Sequence, residues 1–252
     1  MDNERFLSIL NIEDNLFYEK LIIQKIGFVN EKIRQGKVRV STDIDNTEVF
    51  TALKAVSIFN RLHQTKYSVN DLKDAYGMIA WSEKLGITDG LKHAKEIWNS
   101  QEVMEGSGPV PGSVILSRYL YSEKIVIPRI TSRPFETKDS TMIWYKNNMP
   151  WVDPIKDINF RPGPEIDPVF KVTRVKRIGS NYHFEDIPKD AEAVVEECPD
   201  TTVILLPWAW NEDYEPTNTR IVKLDNQQEP ITSMPKMIRA YLMLVDLVAQ
   251  SY

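Results

Sequence analysis

The sequence is poor in cysteine and has no long apolar run, and both absences narrow the class of protein. Its single cysteine, Cys198, cannot form an intramolecular disulfide, so the fold does not depend on an oxidising compartment. No run of about eighteen apolar residues occurs, which excludes a membrane-spanning helix. The chain begins with the acidic residues Asp2 and Glu4, where a signal peptide would carry positive charge. We therefore expect a cytoplasmic protein with no membrane partner.

Further absences exclude common devices for binding nucleotides and nucleic acids. Neither a Gly-x-Gly-x-x-Gly pattern nor a P-loop pattern occurs, so these phosphate-binding loops are not available. The formal net charge of −5 argues against non-specific binding to the phosphate backbone of a nucleic acid. What is present is ordinary for a globular protein: 252 residues, 42% hydrophobic and 27% charged, enough for one or two domains.

Helical and β-branched segments alternate along the chain. A helix is predicted over residues 6–35, then a short strand over 37–42 and a helical stretch over 48–99. In that stretch Ser68 and Asp71 form a capping-box pattern, and Thr88 is a candidate cap. The other predicted elements are a Gly/Pro-rich linker at 106–112, helices near 113–122, 138–148, 169–178, 188–198 and 234–250, and strands over 125–130, 182–184 and 202–206.

The alternation predicts an α/β fold, a three-layer Rossmann-like core around a mostly parallel sheet. The helical stretch interrupts this alternation directly after the first strand. We therefore divide the chain into an N-terminal helical extension at 1–36, a core at 37–47 and 109–229, and a small helical cap at 48–108. Residues 230–252 add a C-terminal helix that packs on the core.

An acidic turn, with the sequence Asp-Ile-Asp-Asn-Thr at residues 43–47, follows the first predicted strand. Asp43 and Asp45 can project to the same side, because side chains alternate along a strand. They lie at the strand's carboxyl end, where open α/β sheets bind ligands. Two such carboxylates suit a hard cation such as Mg²⁺, and an aspartate can also attack phosphorus. The alternative is a structural turn, which Asp and Asn favour in any case.

Four short motifs occur in order, each at a predicted strand end or helix start. They are the acidic turn, the run Thr131-Ser132-Arg133, the lysine Lys171 and the acid pair Glu185-Asp186. This ordered set resembles the haloacid dehalogenase-like (HAD) phosphatases over about residues 37–225, and that family places its cap between the first two motifs. Segments 67–72 and 207–211, with Arg220, resemble the 5′(3′)-deoxyribonucleotidase branch of the family.

The resemblance implies a catalytic role for each motif. Asp43 would be the nucleophile that accepts the phosphoryl group, and Asp45 would act as general acid and then as general base. Thr131 would bind the phosphate oxygens. Lys171 would place a positive charge beside Asp43 and the phosphate, with Lys176 as the rival lysine.

The resemblance also implies a metal and a substrate site. Mg²⁺ would be held by Asp43, the carbonyl of Asp45 and an acid of the fourth motif. We expect Asp186 to ligate the ion directly and Glu185 to hold Lys171 or a metal-bound water, with the reverse assignment as the alternative. Asp190 is either a supporting acid or a solvated residue of a helix's first turn.

Three residues are candidates for substrate binding. Ser132 and Arg133 border the expected phosphate site, although either could instead be a helix cap or a surface charge. Phe50, just after the acidic turn, could stack on a nucleobase. Trp81 and Trp98 could do the same, but aromatic residues at helical spacing more often belong to the core.

The sequence therefore predicts an Mg²⁺-dependent phosphomonoesterase that works through an aspartyl-phosphate. The expected partner is a small phosphate ester, with nucleoside monophosphates or deoxymonophosphates preferred and nucleic acid disfavoured. The alternatives are a HAD phosphatase for another small phosphometabolite and a HAD-like binding protein that has lost turnover. A homodimer is compatible with the sequence, which does not decide the oligomeric state.

Overall fold

The computed structural model describes residues 16–73, 77–163, 168–224 and 234–252 of the chain, with side chains from residue 22 onward. Predictions for residues 6–15, and the predicted boundary between core and C-terminal helix at 229 and 230, lie outside these ranges. Six short strands form the sheet: β1 Val40–Thr42, β2 Arg129–Thr131, β3 Ile158–Phe160, β4 Tyr182–Glu185, β5 Thr202–Leu205 and β6 Ile221–Lys223.

All the strand pairs in this sheet are parallel, and the strand order is β3-β2-β1-β4-β5-β6. This confirms the predicted α/β class with a parallel sheet. The order reverses beside β1, since the chain leaves β1 for β2 and β3 on one side and continues with β4 to β6 on the other. Such a reversal opens a crevice at the carboxyl ends of the central strands.

Eleven α-helices are assigned in the described ranges. They are α1 Leu16–Arg34, α2 Thr51–His63, α3 Gly77–Lys84, α4 Gly90–Trp98, α5 Gln101–Gly106, α6 Ser113–Ser122, α7 Lys138–Asn148, α8 Pro154–Asp157, α9 Val169–Ile178, α10 Pro188–Glu197 and α11 Lys236–Gln250. None of the helices in these ranges is long and apolar enough to cross a lipid bilayer.

The sheet separates two apolar layers. Ile204 of β5 faces a cluster formed with α1, α6 and α11, whereas its neighbours Val203 and Leu205 face a cluster formed with α9 and α10. This alternation follows from the two-residue period of a strand and gives three layers of helix, sheet and helix. All three side chains are fully buried, as expected for a sheet covered on both faces.

Some predicted boundaries were wrong for identifiable reasons. The strand predicted at 125–130 is instead β2, Arg129–Thr131, because Pro128 has no N–H to donate to a neighbouring strand. Strands β3 and β6 were missed, since three residues carry too little periodicity. Asp89 rather than Thr88 caps α4, accepting the N–H of Lys92 at 2.9 Å.

Helices α2 to α5 form a unit inserted between β1 and β2. They bury their own apolar cluster, which includes Phe59, Trp81 and Ile97. The two segments that connect this insert to the core run side by side: the Phe50 N–H donates to the Gly108 carbonyl at 2.8 Å, and the Val110 N–H donates to the Glu48 carbonyl at 2.9 Å. Its role as a cap domain stays a prediction.

Candidate active site

The acidic turn lies at the carboxyl end of the central strand β1. The Asp43 N–H donates to the carbonyl of Phe184 in β4 at 2.9 Å, which extends the pairing of the two strands by one residue. Strand β2 pairs with β1 on the other side. The predicted motifs that follow β1, β2 and β4 therefore meet at one edge of the sheet.

Lys171 is buried at this edge and contacts three carboxylates. Its Nζ lies 3.2 Å from Asp43 Oδ1 and 2.7 Å from Glu185 Oε2. The third contact, 2.8 Å, is to Asp190 Oδ2 on the first turn of α10. The rival Lys176 is on the same helix but exposed to solvent. Of these two lysines, only Lys171 therefore stands beside the predicted nucleophile, and Asp190 is a supporting acid rather than a solvated residue.

Burial sets the charge state of these groups. Desolvation raises the pKa of Asp43 well above its ordinary value of 3.8, because Lys171 offsets only part of that cost and Glu185 adds repulsion. Burial, and then the charges of Glu185 and Asp43, likewise raise the pKa of Asp186. Burial opposes the charge on Lys171, but the surrounding carboxylates outweigh it and raise its pKa well above 10.5. The site therefore holds more acid than one lysine neutralises.

This excess of buried acid fits a divalent cation. Oxygen atoms of Asp43, Glu185 and Asp186 all lie within 4.8 Å of one another, and all three residues are buried. Carboxylate oxygens are the ligands that Mg²⁺ prefers, and a bound cation would offset the burial and the repulsion that raise the pKa of Asp43 and Asp186. The donor set and its charge are therefore suited to the predicted metal.

The two acids of the fourth motif have different environments. Glu185 Oε2 accepts from Lys171, and its Oε1 accepts the backbone N–H of Asp186 at 3.0 Å and of Ile187 at 3.1 Å. Asp186 accepts one side-chain hydrogen bond, from Asn46 Nδ2 at 3.2 Å. Both oxygens of Glu185 are thus engaged within the protein. This favours Asp186 as the direct metal ligand.

Asn46 belongs to the site, although sequence reasoning gave it no role. Besides the bond from its Nδ2 to Asp186, its Oδ1 accepts the N–H of Ala52 at 3.0 Å, so one side chain links the acidic turn, the residue after β4 and α2. Its backbone is in the left-handed region, with φ 56°, which asparagine tolerates better than most residues. The Asp/Asn-rich turn was the available signal.

Asp45 is bound by side chains from two other elements. Arg133 Nε lies 3.1 Å from both of its carboxylate oxygens, and Arg133 Nη2 lies 2.8 Å from Oδ1. The hydroxyl of Thr51 also donates to Oδ1. Arg133 Nη1 donates to Thr141 Oγ1 at 2.9 Å. Arg133 is 2% exposed, so it is neither the helix cap nor the surface charge considered above.

The remaining residues of the second motif lie at the same strand end. Thr131, the last residue of β2, is fully buried and accepts the Arg133 N–H on its hydroxyl at 3.2 Å. Ser132 is partly buried. Their contacts with phosphate stay predictions.

The loop after β5 contacts the backbone of the acid cluster. Trp210 Nε1 and Asn211 Nδ2 donate to the carbonyl of Asp186 at 3.1 and 2.8 Å. Arg220, in contrast, donates to carbonyls at the end of α10, including that of Cys198 at 2.9 Å. Arg220 therefore stabilises a helix terminus and has no contact with the acid cluster.

A cavity of about 380 Å³ lies between the insert and the loop after β5. Its lining residues are Phe50, Leu53, Val56, Ser57, Asn60, Tyr67, Ser68, Val69, Asn70 and Trp208, none of which is charged. The rings of Phe50 and Trp208 are 4.6 Å apart, and the Trp208 Nε1–H donates to the carbonyl of Asn46 at 3.0 Å. The cavity therefore adjoins the acidic turn. Trp81, by contrast, packs inside the insert against Tyr67.

The sequence itself matches no protein-family model and no curated protein. Among solved structures, a HAD hydrolase of family IA, variant 3, from Entamoeba histolytica is similar, with a TM-score of 0.50 and 16% identity over 82% of this chain and 99% of that chain. A HAD family hydrolase from Deinococcus radiodurans, with bound phosphate and sodium, has a TM-score of 0.47 and 13% identity over 67% and 81%.

The chain therefore has the α/β fold of the HAD hydrolases. At these identities the similarity establishes the fold, and the activity must be inferred from the site. The neighbours are named only as hydrolases, so the deoxyribonucleotidase branch stays a proposal.

Proposed function

We propose that this protein is an Mg²⁺-dependent phosphomonoesterase that works through an aspartyl-phosphate on Asp43. The observation that carries the proposal is the buried group of Asp43, Glu185 and Asp186 within 4.8 Å, with Lys171 at 3.2 Å from Asp43. A nucleophilic carboxylate, a cation site and a fixed ammonium at one strand end are what phosphoryl transfer to an aspartate requires.

In the first half-reaction, an oxygen of Asp43 attacks phosphorus and the bond to the ester oxygen breaks. The leaving alkoxide takes a proton from the Asp45 carboxyl group and departs as an alcohol. Lys171 balances the negative charge on the phosphoryl oxygens, and the hydroxyl of Thr131 donates to one of them. Mg²⁺, held by Asp43, Asp186 and the carbonyl of Asp45, would supply further charge stabilisation.

In the second half-reaction, water attacks the phosphorus of the aspartyl-phosphate. The Asp45 carboxylate takes the proton of that water, phosphate leaves, and the Asp43 carboxylate is restored. The contact between Arg133 and Asp45 suits both half-reactions, because it holds the Asp45 side chain in one orientation.

We further propose nucleoside monophosphates, including deoxymonophosphates, as substrates. The support is the cavity beside the acidic turn, which is lined by the rings of Phe50, Tyr67 and Trp208 and by neutral polar side chains. Planar bases stack on aromatic side chains. A leaving group with its own charge, such as an amino acid, would find no charged partner among the residues that line this cavity.

A panel of phosphate-release assays tests both the proposed chemistry and the proposed substrate class. Nucleoside monophosphates, sugar phosphates and p-nitrophenyl phosphate are compared with Mg²⁺ and with excess chelator. Turnover of nucleotides in preference to sugar phosphates, lost with the chelator, is the expected result. Preference for a sugar phosphate would show that the proposed substrate class is wrong but would still support the proposed chemistry. No turnover on any ester would support a binding protein instead.

A further inference from the structure

The first turn of α11 lies against the site although it is outside all four motifs. The Met237 N–H donates to the carbonyl of Pro111 at 3.1 Å, in the linker between insert and core. A Cβ on Gly112 would come within 2.7 Å of Pro235 Cβ, which shows how closely helix and linker pack. The C-terminal helix is therefore fixed to the segment that connects insert and core.

Lys236, the first residue of α11, points at the indole of Trp208. Its Nζ lies 3.2 Å from the centroid of that ring and donates to the Pro207 carbonyl at 2.5 Å. No carboxylate in the described ranges forms an ion pair with it. Burial, and then the charge of Arg239 on the same helix, lower the pKa of Lys236 to about 7, against the attraction of Asp186. The face of the Trp208 ring and the Pro207 carbonyl are thus the partners of the Lys236 ammonium.

The indole of Trp208 connects the leaving-group cavity to the catalytic turn. It lines the cavity beside Phe50. Its Nε1–H donates a hydrogen bond to the carbonyl of Asn46. The Asn46 side chain in turn donates to Asp186, a residue of the proposed metal site. Trp210 stacks on it at 5.3 Å and 12°. A shift of this ring would therefore alter the wall of the cavity.

We propose that Lys236 is a specificity-determining positioning residue: it holds Trp208 in place as the wall of the leaving-group cavity. The inference rests on the proposed role of that cavity. A cation over an indole face is attracted to that face, so the Lys236 ammonium favours the position that the Trp208 ring has in this structure. The C-terminal helix thereby contributes to substrate selection through a contact that touches neither the phosphate nor the metal ligands.

The test is run at a pH below the pKa of Lys236, where its side chain is charged. It compares K236M, which keeps most of the length of the side chain, with K236R, which keeps the cation. Removal of one cation–π contact should raise KM for a nucleoside monophosphate by about 3- to 30-fold, with kcat little changed. K236R should restore most of the affinity. K189M, which removes an exposed lysine from α10, is the matched control and should behave as the wild type.

A binding measurement makes the result independent of turnover. Thymidine and adenosine are titrated against the intrinsic fluorescence of each variant, with W208F to identify the signal of Trp208. Weaker nucleoside binding by folded K236M, rescued by K236R, supports the proposal. Equal affinity in K236M and wild type overturns it, as does an equal loss in K236R. If the wild type has phosphatase activity but binds no nucleoside, the proposed role of the cavity and the inference about Lys236 are both wrong. The proposed chemistry at Asp43 is not contradicted by that result.

Discussion

Arg133 and Asp45 form a bidentate ion pair across the candidate site, although 88 residues separate them in the chain. The Arg133 side chain is 1% exposed and that of Asp45 is 18% exposed. A buried guanidinium stabilises the carboxylate form of its partner. The structure therefore shows Arg133 fixing the orientation of the Asp45 side chain, with its guanidinium engaged by partners within the protein.

The pair leads to a prediction for a double-mutant cycle. R133M should lower kcat by about 10- to 100-fold, because Asp45 loses its orientation, whereas D45N should cost about 10²- to 10⁴-fold through loss of acid–base catalysis. The double variant R133M/D45N should be no slower than D45N alone, since Arg133 then has nothing to orient. Steady-state kinetics and circular dichroism of the three variants measure this. Additive losses would show that Arg133 acts on the substrate independently of Asp45.

Replacement of the nucleophile should separate activity from stability. D43N should abolish turnover, because an amide does not attack phosphorus, while the fold remains. The pKa of Asp43 is raised in the folded protein, so the protonated form of Asp43 stabilises the metal-free fold and its ionisation destabilises it. The free energy of unfolding therefore falls as pH rises above the ordinary pKa of 3.8. Metal-free wild type should therefore lose more thermal stability than D43N between mildly acidic and mildly alkaline pH. Identical pH profiles would contradict the assigned burial of this charge.

The fourth motif yields a prediction about metal affinity. D186A should raise the Mg²⁺ concentration needed for half-maximal activity more than E185A does, because Glu185 is engaged by Lys171 and two backbone N–H groups. E185A should instead destabilise the protein, since it removes a buried partner of Lys171. An Mg²⁺ titration and thermal unfolding of both variants give the two rankings. The reverse order in the titration would identify Glu185 as the direct ligand.

The parts of the site that could be predicted from sequence are those in which a side chain follows a strand or begins a helix. Asp43 and Glu185 lie at strand ends, and Lys171 lies in the first turn of α9. The neighbouring residues alone therefore indicate their positions, without knowledge of the fold. The parallel sheet was predictable for the same reason, because strands and helices alternate. The meeting of these segments then follows from the strand order.

The contacts that join distant segments could not be predicted. Asn46 and Asp186 are 140 residues apart, and nothing in the acidic turn indicates which acid its amide binds. His63 and His93 place their Nε2 atoms 2.7 Å apart, although their spacing shows no ligand pattern. Lys236 was missed because its partner is an aromatic ring, which leaves no charge pattern in the sequence.

The linker between insert and core allows a final prediction about closure of the insert. Gly108 and Gly112 lie in the same linker but differ in surroundings. A Cβ on Gly108 meets nothing within 4 Å, whereas Gly112 has φ +86° and a Cβ there would lie 2.7 Å from Pro235.

G112A should therefore destabilise the protein by about 1 to 3 kcal/mol, through backbone strain and displacement of α11. G108A should leave the unfolding free energy nearly unchanged, which makes it the matched control. If the insert closes over the substrate, the restricted backbone of G108A should slow turnover without weakening the fold. Thermal unfolding and kcat of both variants separate the two effects. Crystal structures with and without a phosphate ester provide the direct check: closure should bring the insert nearer to β1 in the complex, and an unchanged position would remove closure from the cycle.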